Sequence, residues 1–194
     1  MQRIALCAAV TSLALFSTPA LASSMPEASA DYVRTRDGRP PTRGKLYVSK
    51  HRFRSESGTA DSQAALIVDA RSGQAWMLLP SPLGCITRPI NDGMRANMPL
   101  LLDPAAKEKL VGSEVVDGHP TRKYELTSNV GGEPVVRYVW RATDLKGFPI
   151  KTADESGRST TTFENVVLRK PDAKLFLPPA DCKTAPKPRG RERP

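Results

Sequence analysis

The stretch Ala64-Ala-Leu-Ile-Val-Asp-Ala-Arg-Ser-Gly-Gln-Ala-Trp-Met-Leu-Leu-Pro80 decides the fold class. Two apolar runs, Ala64–Val68 and Ala75–Leu79, flank a punctuating segment at 69–73. Gly73 supplies a positive φ without steric cost, and the Asp69 carboxylate can accept from the backbone two residues on. Turn residues at this spacing break any 3.6-residue period, so the stretch predicts a β-hairpin with a longer loop. Ile67, Val68, Trp76, Met77, Leu78 and Leu79 make both arms apolar enough for the middle of a sheet.

The same rhythm continues on either side. Lys45–Ser49 and Arg52–Glu56 alternate polar and apolar residues, the mark of a strand with one wet face. Cys85–Thr87 reads as a short strand. Ser113–Val116 meets the tight-turn pair Asp117-Gly118 and continues into Arg122–Thr127. Gly131-Gly132 turns the chain into Pro134–Arg141, where Val136, Tyr138 and Trp140 share a face. Phe148–Thr152 and Thr160–Leu168 follow. Hairpins at about ten-residue spacing belong to all-β architectures. Asp103 before Pro104 reads as an N-cap and first-turn pair, predicting a single short helix over 104–110. Asp31-Tyr-Val33 can open the fold, but residues 34–44 read as an exposed connection, so 23–44 is expected to be a flexible segment. Lys174–Leu177 docks a last apolar group, and 183–194 reads as a disordered basic tail.

The first residues have the pattern of an export signal. Arg3 precedes an apolar run from Ile4 to Phe16, and Ala20-Leu-Ala22 is a small-residue cleavage site. The expectation is cleavage after Ala22 and a periplasmic product. Cys85 and Cys182 then remain, which in an oxidising compartment points to one disulfide, with two separate thiols as the alternative. Neither cysteine has a second cysteine or a histidine nearby, so no metal site is expected.

Of the 29 Lys and Arg, removal of Arg3 leaves 28 against 20 Asp and Glu, a charge of +8. The excess sits at the two ends and the body is balanced. A nucleic-acid binder would place its charge on a folded face with aromatic partners, so nucleic acid is not an expected partner. The basic ends suit an anionic membrane surface or an envelope protein, or serve only as solvated tails.

Three segments together carry a resemblance: Leu110-Val-Gly-Ser-Glu-Val-Val-Asp-Gly-His-Pro-Thr-Arg-Lys-Tyr124, Tyr138-Val-Trp-Arg-Ala-Thr-Asp-Leu-Lys-Gly-Phe-Pro-Ile-Lys151, and Phe163-Glu-Asn-Val-Val-Leu-Arg-Lys-Pro-Asp-Ala-Lys-Leu-Phe-Leu-Pro178. Their order resembles the exported domains of the LolA-like superfamily, which includes outer-membrane lipoprotein carriers, over about Lys45 to Cys182. The resemblance implies a mainly β domain at 45–182. It would be a strongly curved antiparallel sheet, an unclosed half-barrel, with a short helix and loops over its concave face. In the carriers that face takes acyl chains. Here the matching cavity residues would be Val68, Trp76, Leu78, Val136, Tyr138, Trp140 and Ile150, with Leu101, Leu102 and Leu110 as cover. For Trp76 and Trp140 plain core packing is the competing reading.

Two functions follow from this. One is an exported binding protein that holds a lipid, another apolar ligand or a lipoprotein acyl chain. The other is an envelope protein-interaction or sensor module whose core is filled. His51 and His119 are the two histidines, and no G-x-S-x-G, H-E-x-x-H or Gly-rich phosphate loop accompanies them. The expectation is therefore no enzyme and no cofactor. Oligomeric state is not encoded in these patterns.

Overall fold

A computed structural model describes residues 25–184, apart from 60, 61 and 104. The leader with its cleavage after Ala22, and residues 185–194 of the basic tail, lie outside the described residues. Twelve strands form one open, curved sheet. The first six are β1 (Ala28–Arg36), β2 (Arg39–Ser49), β3 (Arg52–Ser57), β4 (Ala64–Asp69), β5 (Gln74–Leu78) and β6 (Cys85–Pro89). Two short helices follow, α1 (Asp92–Asn97) and α2 (Pro99–Leu102). The second set is β7 (Lys107–Val116), β8 (His119–Val130), β9 (Glu133–Ala142), β10 (Phe148–Asp154), β11 (Ser159–Val167) and, after a 3-10 turn at Ala173–Phe176, β12 (Lys183–Thr184).

The strand order is β12-β6-β5-β4-β3-β2-β1-β11-β10-β9-β8-β7. The chain thus starts at the centre of the sheet and meanders outward to β6. It then crosses to the far edge at β7 and meanders back until β11 pairs with β1. Every pairing is antiparallel except the short β12–β6 contact. This path explains the helices: residues 90–106 must carry the chain from one edge to the other, and they do so over the concave face.

The opening stretch forms the predicted hairpin, with Ala65 opposite Leu78, Ile67 opposite Trp76 and Asp69 opposite Gln74. Asp69 Oδ1 accepts from the backbone N–H groups of Arg71 at 2.9 Å and Ser72 at 3.2 Å, and Gly73 has φ +70°.

Two expectations are corrected. The helix over 104–110 does not form, because Lys107–Leu110 belongs to β7 and pairs with 124–127 of β8. Asp103 still binds a backbone N–H, that of Ala105 at 3.1 Å, but as an isolated turn. The helices lie earlier, where Asn91 caps α1 by accepting from the Met94 N–H at 3.0 Å. A ladder partner outweighs a local capping signal when the segment is too short to hold a helix alone.

The second correction concerns the segment expected to be flexible at 23–44. Its residues from 28 onward form β1 and the first half of β2, at the centre of the sheet. Pro40 and Pro41 do not prevent this. β3 pairs with β2 only from Gly44 onward, so on that side the prolines have no ladder partner waiting for an N–H. Gly44 lies opposite Tyr32, and an added Cβ there would sit 1.8 Å from the Glu56 carbonyl oxygen and 2.7 Å from the Tyr32 ring. Only glycine lets these strands approach so closely.

After β11 the chain returns across the convex face. Phe176 is buried there, the Arg52 guanidinium stacks over its ring, and Arg54 Nη1 donates to the Leu175 carbonyl at 3.2 Å. Burying such a ring contributes roughly 1.5–3 kcal/mol. The Cys85–Cys182 disulfide then clamps the end of this segment to β6. Lys183 and Thr184, assigned from sequence to the disordered tail, add β12 beside it.

A candidate ligand cavity beneath the crossing helices

Alternation along the strands sorts side chains onto two faces. On the face beneath α1 and α2, Ala30, Leu46, Ser55 and Leu66 stand in one cross-strand row. Ala28, Val48, Phe53, Val68 and Ala75 stand in the next. Tyr32 faces Phe163 on β11. These side chains and the crossing segment enclose a half-open cavity of about 390 Å³. Its apolar wall includes Leu46, Phe53, Leu66, Val139 and Phe163 from the sheet and Met94, Met98, Leu100 and Leu101 from the crossing segment.

The crossing segment is held by its own polar contacts and by the sheet. Met98 N–H bonds the Met94 carbonyl at 2.9 Å and closes α1. Arg95 Nη1 donates to the Leu102 carbonyl at 2.7 Å. From β9, Arg137 Nε donates to the Ala96 carbonyl at 2.6 Å and Nη2 to Asn97 Oδ1 at 3.1 Å. A cation on the last carbonyls of a helix is favourably placed. Arg137 therefore ties the cover to the sheet.

The rest of the wall is cationic and hydroxylic. Arg34, Arg36, Arg88 and Arg137 line the cavity together with Ser159 and Thr161, and among the described lining residues there is neither Asp nor Glu. Arg34 Nε donates to Thr161 Oγ1 at 3.3 Å. Burial pushes the Arg34 pKa below its usual value, Tyr32 opposes this and Arg36 adds to it. Arg137 is lowered by burial as well, with Asp154 acting against that and Arg34 and Arg36 reinforcing it. Guanidinium is so strong a base that Arg34 and Arg137 stay charged all the same. Arg88 Nε is buried without a hydrogen-bond partner among the described residues.

Of the ten residues expected from the sequence in the cavity or its cover, Leu101 lines the cavity. Val68, Leu102 and Ile150 belong to the buried cluster packed with it. Five others are corrected: Trp76, Leu78, Val136, Tyr138 and Trp140 face the opposite side. Ile67 and Trp76 pair in one row and Ala65 and Leu78 in another, on the face turned away from Val68 and Leu66. On β9 the cavity receives Arg137 and Val139, so Val136, Tyr138 and Trp140 point outward. They do share a face, as the alternation predicts, but it is the convex one. There the Lys123 and Lys151 ammonium groups lie 4.8 and 4.6 Å from the Trp140 ring centroid, and its indole N–H donates to Glu114. Leu110, expected in the cover, is half exposed on edge strand β7.

The arginines were missed for a related reason. Tyr32, Arg34 and Arg36 alternate along β1, which was legible, but a segment read as a loop has no faces. Arg137 sits between Val136 and Tyr138, so choosing the aromatic face as the inner one consigned it to solvent. The histidines lie elsewhere. His51 Nε2 is 3.6 Å from Asp69, and His119 Nδ1 is 2.7 Å from Asp144 Oδ2 in exposed turns. The hydrogen bond from His119 holds the Asp144 carboxyl below the usual carboxylate range.

An open curved sheet with helices across its concave face is the arrangement implied by the three segments quoted above. The fold class that the resemblance implies is the one observed. The chain is similar to an uncharacterized conserved protein from Thermus thermophilus, with a TM-score of 0.56 at 13% identity, covering 84% of this chain and 91% of that one. It is also similar to a LolA superfamily protein from Nitrosomonas europaea, with a TM-score of 0.42, 12% identity and coverage of 80% and 90%. For lipoprotein LppX from Mycobacterium tuberculosis the corresponding values are 0.41, 12%, 78% and 91%. At 13% identity the likeness to the Thermus thermophilus protein is one of fold. No family model matches the chain, and no curated protein matches it in sequence.

Proposed function

We propose that this protein is an exported binding protein of the cell envelope that holds a lipid or acyl chain between its concave sheet and α1–α2. The observation that carries this reading is the half-open cavity of about 390 Å³ with an apolar wall. Small-molecule sites span roughly 300–1,000 Å³ and combine mostly apolar lining with a few placed polar groups. The disulfide supports an oxidising compartment, which agrees with the export signal read from residues 1–22.

Titration with a neutral fluorescent apolar probe, followed by competition with 1-alkanols of increasing length, tests the proposal. Each buried methylene contributes about 0.8 kcal/mol, so affinity should rise roughly fourfold per carbon and stop rising once the cavity is full. Leu101→Trp, which adds bulk from the cover, should weaken probe binding at least tenfold, while Trp140→Phe on the convex face should leave it unchanged. An absence of probe binding by the folded wild type, or binding indifferent to Leu101→Trp in a variant with native circular dichroism, would overturn the reading.

A second reading, the protein-interaction module, has one observation in its favour. Edge strand β7 exposes Leu110, Val111 and Val115 at 53%, 42% and 69%, and an open edge of this kind can accept a partner strand.

A further inference from the structure

On β3–β6 Ser55 and Arg88 stand in the apolar rows, whereas on β1, β9 and β11 the polar and apolar lining residues are not mixed. They are separated along the strand axis, in register, on neighbouring strands. Along β1 the inward residues run Ala28, Ala30, Tyr32, Arg34, Arg36. On β11 Phe163 stands beside Tyr32, Thr161 beside Arg34 and Ser159 beside Arg36. On β9 the sequence is Val139 and then Arg137. On these three strands one end of the lining is therefore hydrocarbon, and the other is made of guanidinium and hydroxyl groups. That is the polarity profile of an amphiphile.

We propose that the cavity is built for an anionic amphiphile, with a carboxylate or phosphate head held by Arg34, Arg36 and Arg137 and its chain lying toward Leu46, Phe53 and Leu66. The assignment rests on the lipid-binding reading above and specifies its ligand class.

The donors are suitably uncommitted. Arg34 uses Nε on Thr161, and Arg137 uses Nε and Nη2 on α1. The remaining guanidinium N–H groups of both, and the whole Arg36 guanidinium, have no protein hydrogen bond among the described residues. None of the three forms a salt bridge within 4 Å among those residues. Asp154, opposite Arg137 on β10, is the carboxylate that acts on Arg137. Arg34 and Arg137 are half-buried and Arg36 is exposed beside them; cations brought together in this way repel one another and the half-buried ones lose hydration, a cost that proteins normally meet with a counter-charge. An anionic head supplies that charge, and the planar guanidinium fork suits carboxylate and phosphate oxygens alike. Because Arg137 also carries α1, an anion seated on it would bind at the hinge between sheet and cover.

The test is displacement of the neutral apolar probe from the full mature protein by four twelve-carbon competitors at pH 8, below their aggregation limits. These are laurate, dodecyl phosphate, 1-dodecanol and the methyl ester of laurate. Laurate, dodecyl phosphate or both should displace the probe at a concentration at least tenfold lower than the two neutral compounds, about the worth of one charge-assisted hydrogen bond. Which anion is tighter identifies the head group. Arg34→Gln/Arg36→Gln should bring the anions to the affinity of dodecanol without changing dodecanol itself, and the single variant Arg36→Gln should shift the anions alone by a smaller factor. Equal displacement by charged and neutral chains in the wild type would overturn the proposal, as would an anion preference that survives in the folded double variant. If no chain of either kind displaces or binds, it is the lipid-binding reading that fails. Inorganic phosphate at millimolar concentration should not displace the probe; if it did so as well as dodecyl phosphate, the site would be one for a free anion and the amphiphile assignment would be wrong.

Discussion

Replacing Cys85 and Cys182 together by alanine removes the covalent link between β6 and the segment that returns over the convex face. The two residues are 97 positions apart, and the ring they close contains α1, α2 and all of β7–β11. In the loop-closure treatment the entropy withdrawn from the unfolded chain is about 2.1 + 1.5R ln n cal/mol/K, which for this ring amounts to about 4.7 kcal/mol at 25 °C. Native disulfides removed from small exported domains cost about 2–5 kcal/mol in practice, because the reduced unfolded chain keeps some structure. With a urea slope of about 2 kcal/mol/M, the midpoint should fall by about 1 to 2.5 M. The assay is equilibrium urea unfolding of the oxidised wild type and the double variant, with mass spectrometry to verify the bond in the former. The slope matters as much as the midpoint. If only the returning segment detached, the slope would fall while the sheet's own midpoint held. An unchanged midpoint and slope, with the bond intact in the wild type, would refute the claim that the ring constrains the unfolded chain.

Two further outcomes follow from single contacts. Gly44→Ala places a methyl group against the Glu56 carbonyl and the Tyr32 ring and should cost about 1–3 kcal/mol or more in urea unfolding, whereas Gly112→Ala, where an added Cβ meets nothing within 4 Å, should change the midpoint little; similar losses at both sites would refute the close-approach argument. Asp31 accepts from the Asn165 side chain at 2.9 Å and lies 3.5 Å from the Lys45 ammonium; the Asn165 hydrogen bond first, then Lys45, outweigh the opposing effect of burial and hold its carboxyl below the usual value of 3.8. A lowered folded pKa stabilises above the unfolded pKa and loses that contribution as pH falls through the folded value. Asp31→Asn should therefore destabilise by no more than about 1 kcal/mol at pH 7, given the partial exposure of the pair, and the difference from wild type should shrink below pH 4; a difference that is constant with pH would show that the charge is not responsible.

The fold class was legible because it rests on local chemistry repeated many times. Asp69 and Gly73 fix their turn whatever surrounds them, Asp117-Gly118 and Gly131-Gly132 do the same, and period-two alternation follows from the geometry of a strand alone. The cysteine pair was equally readable, since the count left few pairings. The site was only partly legible. Val136, Tyr138 and Trp140 share a face, as their spacing required, but alternation cannot say which of two faces becomes the inside. Hydrophobicity pointed to the aromatic face, whereas Lys123 and Lys151 cover Trp140 on the outside and the inward face of β9 carries Arg137.

That choice was made by connectivity. The chain reaches β6 at one edge and must begin β7 at the other, so residues 90–106 cross one face of the sheet and the segment after β11 crosses the other. Whichever face the first crossing covers becomes the cavity, and the arginines on it become a site. The same long-range pairing drew 107–110 into a strand against β8 and residues 28–44 into the centre of the sheet. The sequence by itself determined most strands and turns, because each depends on neighbours a few residues apart, and the cysteine pair, because Cys85 and Cys182 are the two cysteines among the described residues. Tertiary structure alone decided the inside of the curve, because that depends on partners up to 134 residues away, such as Asp31 and Asn165.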